Sequence, residues 1–374
     1  MVYIFCISIT PNAAPTNRLL SFLKAFDELG KEATLVVLTT NTGYDVYRVP
    51  EEYHHVKVKY LWKDWPFGRR FFNRLHAPYA LKIFLSLLKE GDSVFCYGSS
   101  EYLYRFIGKK GVKVFHERTE SPEVLPLSSP KAQARYLEAC RQLDGLFVIS
   151  TALKRYFVER GVKEEKVQIV NMTVDPNRFI GLQKSQKAED YIAYCGTASN
   201  NKDGVDELIK AFAIVTKTHF DIKLYIIGKT PSPDDKSGNL KLIESLGLTD
   251  KVVLTGMIDA SRMPQMLKDA KVLALDRPDS LQAQNGFPTK LGEYLLTENP
   301  VVVTKVGDIP LFLHDGESAL LSEQRNPDEF ALKLCWALEY PKEAAEIGRR
   351  GKEVAMKAFN YLIESKKIID TIYG

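Results

Sequence analysis

The segment from Asn285 to Glu293, NGFPTKLGE, carries the residue types that an anion site at a helix start requires. Pro288 sits where a first helical turn begins, with φ pre-set and no N–H to leave unpaired. The amides around Phe287, Thr289 and Lys290 then form the open end of a helix, where N–H groups and the helix dipole favour negative charge. Lys290 adds a full positive charge. Glu293, one turn further on, falls on the same face. A carboxylate placed there accepts both hydrogen bonds of a ribose diol, so phosphates followed by a ribose is one reading. A solvated helix start with a capping acid is the other.

A second loop, CGTASNNKDG, runs from a strand into a helix through Gly196, Thr197 and Lys202. Its small residues let backbone approach a ligand, and Lys202 brings a cation. It is neither a P-loop nor the G-x-G-x-x-G dinucleotide fingerprint, so a nicotinamide dehydrogenase is disfavoured. His116, in KVFHERTESP, ends a strand with Glu117, Arg118 and Glu120 crowded behind it. No D-x-D pair follows a strand in a metal-binding arrangement, and Asp276 with Asp279 are wrongly spaced. No metal and no cofactor are expected.

These residues need a scaffold that brings strand ends together. Apolar runs without period-2 alternation, such as VYIFCISI, ATLVVLTT, DSVFCYG, DGLFVIS, YIAYCG, KLYIIG and NPVVVT, alternate with helical periods. That pattern predicts α/β architecture with two doubly wound, parallel-sheet Rossmann-like domains. The boundary is expected within Asn171 to Asn177, with GLQKSQKAED as a linker. The domains are expected at 1–174 and 175–355, with a helix over 356–374 crossing back to the first. Ligands in such sheets sit at the carboxyl ends of strands, so the site is expected in a cleft between the domains.

Charge is uneven: residues 1–170 hold 25 Lys and Arg against 18 Asp and Glu, and the remainder 26 against 29. A basic first half predicts an anionic partner for it. With no nucleic-acid motif, that partner is expected to be a phosphate-bearing substrate or an anionic membrane surface and not nucleic acid. Residues 59–89 interleave Lys63, Arg69, Arg70 and Arg74 with Trp62, Trp65, Phe67, Phe71 and Phe72, which suits an anionic bilayer interface or else a surface helix with its aromatics in the core. The five cysteines are scattered without C-x-x-C spacing, and MVYIFCISIT lacks the basic region of a signal peptide. A cytoplasmic protein, peripheral on the inner membrane face at most, is expected.

The segment NGFPTKLGE resembles the donor-binding motif of the family-4 retaining glycosyltransferases (glycosyl transferases group 1) of GT-B fold. LDGLFVISTALKRYFVERGVKEEKVQIVNMTVDPNRF, GTASNNKDGVDELIKAF, VVLTGMIDASRMPQMLKDAKVLAL and VVVTKVGDIPLFLHDGESALL resemble further family segments in the family's order. The resemblance implies transfer of a sugar from a UDP- or GDP-sugar to a glycan or lipid-linked acceptor in surface polysaccharide or glycolipid synthesis. It implies donor contacts from Gly196, Thr197, Lys202, Met257, Asn285, Gly286, Phe287, Pro288, Thr289, Lys290 and Glu293. Catalytic roles fall to His116, Lys202 and Glu293, with His116 contacting the transferred sugar, and acceptor contacts to Asn12, Thr16, Arg18, Glu117 and Arg118. Three positions depart from the family pattern. Asn285 stands in place of a first glutamate, Thr197 in place of an arginine, and the loop TPNAAPTN lacks a glycine pair. A sugar-nucleotide epimerase and a non-catalytic nucleotide-sugar-binding partner are the alternatives.

Overall fold

The computed structural model describes residues 1–40, 47–50, 52–65, 67–125, 129–185, 189–229 and 232–374. Part of the expected linker, residues 186–188, and Pro66 within the basic aromatic stretch lie outside the described residues. The chain divides into two compact units, Met1–Thr173 with Tyr361–Gly374, and Val174–Asn360.

The first unit contains β1 (Val2–Cys6), α1 (Ala14–Glu28), β2 (Ala33–Val37), β3 (Val56–Tyr60), α2 (Arg69–Leu87), β4 (Ser93–Tyr97), β5 (Lys113–Arg118), α3 (Pro130–Arg141), β6 (Gly145–Val148), α4 (Thr151–Glu159) and β7 (Val167–Ile169). Its seven strands are ordered β3-β2-β1-β4-β5-β6-β7, and every pair is parallel. Phe22, Phe26, Phe95, Phe115 and Phe147 fill its core. β3 was not among the expected strands. Its sequence VKVKY alternates, with Lys57 and Lys59 less buried than Val56, as suits an edge strand with one wet face.

The second unit contains β8 (Tyr191–Cys195), α5 (Asn200–Asp203), α6 (Val205–Val215), β9 (Lys223–Ile227), α7 (Pro233–Ser245), β10 (Val252–Gly256), α8 (Met263–Asp269), β11 (Val272–Leu275), α9 (Leu281–Asn285), α10 (Thr289–Leu296), β12 (Val301–Thr304), α11 (Ile309–Phe312), β13 (Leu320–Ser322), α12 (Pro327–Glu339) and α13 (Pro341–Ala358). Its six parallel strands run β10-β9-β8-β11-β12-β13. The last helix, α14 (Tyr361–Tyr373), belongs to the first unit. It starts five residues later than position 356 because α13 stays helical to Ala358. Tyr361, Ile368, Ile369 and Ile372 join the first core, and the Tyr361 hydroxyl donates to the Glu28 carboxylate at 2.7 Å.

Candidate functional site

In the second sheet the chain winds outward one way from β8 and the other way from β11, so these neighbours form the switch point at which open α/β sheets bind ligands. Two glycines let the loops leaving them meet. Gly204 lies at φ +57°, and a Cβ there would stand 2.0 Å from the Asp276 carbonyl oxygen. Gly196, at φ +149°, would place a Cβ 2.4 Å from Lys290 Nζ. Any side chain at Gly196 therefore displaces the lysine.

Lys290 is held there by charge. Its Nζ donates to Asp203 Oδ2 at 2.5 Å and to the Tyr194 hydroxyl at 3.0 Å, and it lies over the Tyr194 ring. Tyr194 in turn donates to the same carboxylate oxygen at 2.8 Å. Burial pushes the Lys290 ammonium down against the opposing pull of Asp203. The Asp203 carboxyl is driven up by burial, but Lys290 and then Arg277 outweigh this and hold it below its usual range. Arg277, two residues past the end of β11, is 1% exposed. Two cations thus act on one anion. Sequence reasoning missed Asp203, Tyr194 and Arg277.

The segment 285–293 folds as a short helix, a turn and a second helix. Asn285 closes α9, and Gly286 packs so that a Cβ would meet the Gln282 carbonyl oxygen at 3.0 Å. Pro288 is the N-cap of α10, one position earlier than expected, and helix begins at Thr289. The Thr289 and Lys290 amides therefore open the helix, where no intrahelical acceptor reaches them. The Phe287 side chain turns into the core. It is 7% exposed and packs against Phe312 and Phe359, with ring centres 5.7 and 5.3 Å away. The phenylalanine is the apolar anchor that fixes the turn. Glu293 is an ion-pair partner of Arg178, from the turn Pro176–Phe179 in the same unit, with both side chains partly exposed. Arg178 was also missed. Thr197 is exposed, its carbonyl lies 2.7 Å from the Tyr194 hydroxyl and shares that single proton with Asp203, and Lys202 lies in α5. Met257, after β10, is 65% exposed.

The first unit gives a different picture. Arg18 and Glu117, expected to meet the acceptor, are 5% and 4% exposed and meet each other at 2.9 Å. Arg18 also donates to the Asn171 and Val170 carbonyls at 2.7 and 3.0 Å, tying α1 to the end of β7. His116 is wholly buried. Its ring contacts the Cys96 carbonyl at 2.7 Å and the Tyr136 hydroxyl at 3.2 Å. Burial pulls its pKa down to about 4, so the ring is neutral and its Nδ1–H donates to Cys96. His116 thus pins β4, β5 and α3 together, because β5 carries its ring into the core. Arg118 braces its own loop, donating to the Glu120 and Leu125 carbonyls and the Ser100 hydroxyl at 2.7, 2.8 and 2.9 Å. Thr16 is buried and accepts from the Thr10 amide at 2.9 Å. Of the expected acceptor residues Asn12 alone is exposed, at φ +58°.

Residues 189–340 match the family model described as glycosyl transferases group 1. The chain is 24% identical to the MMP alpha-(1->4)-mannosyltransferase of Mycolicibacterium hassiacum over 223 residues, 59% of this chain and 52% of that protein. It is 23% identical to the D-inositol 3-phosphate glycosyltransferase of Segniliparus rotundus over 199 residues, 50% of this chain and 42% of that protein. The chain spans about half the length of the curated relatives it matches. Among solved structures it is similar to Anabaena HepE in complex with UDP and glucose, with TM-score 0.76 and 17% identity over 100% of this chain and 99% of that one. The sucrose-phosphate synthase of Thermosynechococcus elongatus matches at TM-score 0.76 and 16% identity over 99% and 97%. The two parallel-sheet Rossmann-like units are those of GT-B glycosyltransferases.

Proposed function

We propose that the protein is a glycosyltransferase, retaining and metal-independent, that binds the diphosphate and ribose of a nucleotide sugar at the carboxyl edge of its second sheet. The carrying observation is the convergence of Lys290, the open start of α10 and Glu293 on the β8/β11 switch point, beside a glycine that keeps the approach clear. In transfer, the bond from the anomeric carbon to the diphosphate oxygen breaks, one to the acceptor hydroxyl oxygen forms, and the hydroxyl proton passes to the leaving diphosphate. Charge grows on the leaving diphosphate, which is where fixed amides and buried cations act. Glu293 takes the ribose hydroxyls and Met257 lies along the base. Acceptor binding, to a glycan or lipid-linked hydroxyl, is assigned to the first unit. The test is calorimetry with UDP, GDP and their sugars, followed by transfer in EDTA. No affinity for any nucleoside diphosphate refutes the site, and activity that EDTA abolishes refutes the metal-independent reading.

A second reading is a nucleotide-sugar-binding partner without turnover, favoured by the burial of His116. Donor that binds but is never consumed across an acceptor panel would establish it.

A further inference from the structure

Helix α2 is apolar on two opposite sides. Ala77, Ala80, Leu81 and Phe84 are buried, and Phe84 stacks on Phe5 with ring centres 5.9 Å apart, so the helix is fixed to the first unit. The opposite side carries Phe71, Leu75 and Tyr79, each 62% exposed, then Ile83 at 42% and Leu87 at 50%, while Phe67 ahead of the helix is 74% exposed. The five on the helix stand four residues apart, which at helical pitch makes a continuous row slanting along that side. Single exposed apolar side chains are ordinary, but an aligned row along a whole helix marks an interaction surface. Trp62, by contrast, is buried, and Phe72 is partly buried against Trp65 and Phe71. The aromatics of residues 59–89 thus divide between core and surface.

Charge decides what covers the stripe. α2 contains Arg69, Arg70, Arg74 and Lys82 and no Asp or Glu. Arg70, Arg74 and Lys82 are exposed, and among the described residues no carboxylate pairs with them. Asp64, near Arg69 at 3.9 Å, is closer to Arg48 at 3.0 Å. A second copy of the chain docked stripe to stripe would bring these charges together with nothing between them. A bilayer with anionic headgroups complements both features.

We propose that the outward face of α2 is a membrane-docking surface lying in the interface of an anionic bilayer. Phe71, Leu75 and Tyr79 enter the boundary between headgroups and acyl chains, and Arg70, Arg74 and Lys82 reach the lipid phosphates. Among the described residues no helix is long and apolar enough to cross a membrane, so α2 lies along the surface. The inference is independent of the transfer reaction, and its test needs no donor.

The full chain is sedimented with phosphatidylcholine vesicles and with vesicles enriched in phosphatidylglycerol. Binding is expected on the anionic vesicles, weakening with salt, at least about tenfold above the zwitterionic ones. Arg70→Gln/Arg74→Gln/Lys82→Gln should lower it by about fivefold per base removed. Phe71→Ser/Leu75→Ser/Tyr79→Ser should lose it on both vesicle types. Both variants change exposed positions, and an unaltered melting temperature checks their fold. Wild-type chain that ignores anionic vesicles, or either folded variant binding them as wild type does, overturns the proposal. So does a wild-type dimer, seen by sedimentation velocity without vesicle binding and lost in the serine variant.

Discussion

Lys290 is the residue whose replacement separates binding from folding. In Lys290→Met the stem stays and the charge goes, leaving Asp203, with its side chain 2% exposed, hydrogen-bonded to the Tyr194 hydroxyl and within the field of Arg277. Removing one member of a buried pair costs roughly 3–5 kcal/mol. Arg277 and Tyr194 remain, which places the loss at the lower end, about 3 kcal/mol. Lowering the pH should shrink it, since protonating the orphaned carboxyl removes the buried charge. Adding Asp203→Asn should restore stability to within about 1 kcal/mol of wild type, because the orphaned carboxylate is then removed. Nucleotide binding should not follow. A cation hydrogen-bonded to phosphate is worth about 1.5–3 kcal/mol, so UDP or GDP affinity should fall at least tenfold in both the single and the double variant. Urea unfolding in a Trp62→Phe/Trp65→Phe background reads the second unit through Trp336, then the only tryptophan. Calorimetry reads the affinity. If affinity returns with stability in the double variant, Lys290 serves the fold alone and the diphosphate site lies elsewhere.

Glu293→Ala should weaken nucleotide binding at least about tenfold with little change in melting temperature, since its pair with Arg178 is partly exposed and such pairs contribute under ~1 kcal/mol. Arg178→Ala should cost less affinity than Glu293→Ala, and a larger loss would make Arg178 the direct ligand. His116, with its pKa at about 4 against an ordinary 6.5, keeps the folded chain from taking up a proton that the unfolded chain binds. Stability of the first unit should therefore fall as pH drops from 6.5 toward 4, by up to ~3 kcal/mol, and His116→Asn should flatten that slope in acid titrations followed by circular dichroism. Asp276 has the opposite sign: burial, then Glu207 and Asp206, raise it to about 8, so the folded state retains a proton that the unfolded state releases above 3.8. Stability of the second unit should fall as pH rises through that window, and Asp276→Asn should raise its melting temperature at pH ~8 but not at pH ~4.

What the sequence discloses follows the range of the interaction. The helix start at α10 was legible because Pro288, Lys290 and Glu293 are neighbours whose geometry helical pitch dictates. Their partners were not. Asp203 and Tyr194 lie 87 and 96 residues from Lys290, and Arg178 lies 115 from Glu293, so only the folded sheet brings them together. Single positions also hide which way a side chain points. His116 and Glu117 are adjacent on β5, opposite Cys96 and Tyr97 of β4, and both are buried although side chains alternate along a strand. A strand covered on both faces has no wet side to offer. The same logic works in reverse for α2. Its apolar residues satisfy a helical period on the core side, and the surplus on the far side reads as noise until exposure is known. That surplus, with four bases and no acid beside it, is what demands a partner outside the fold.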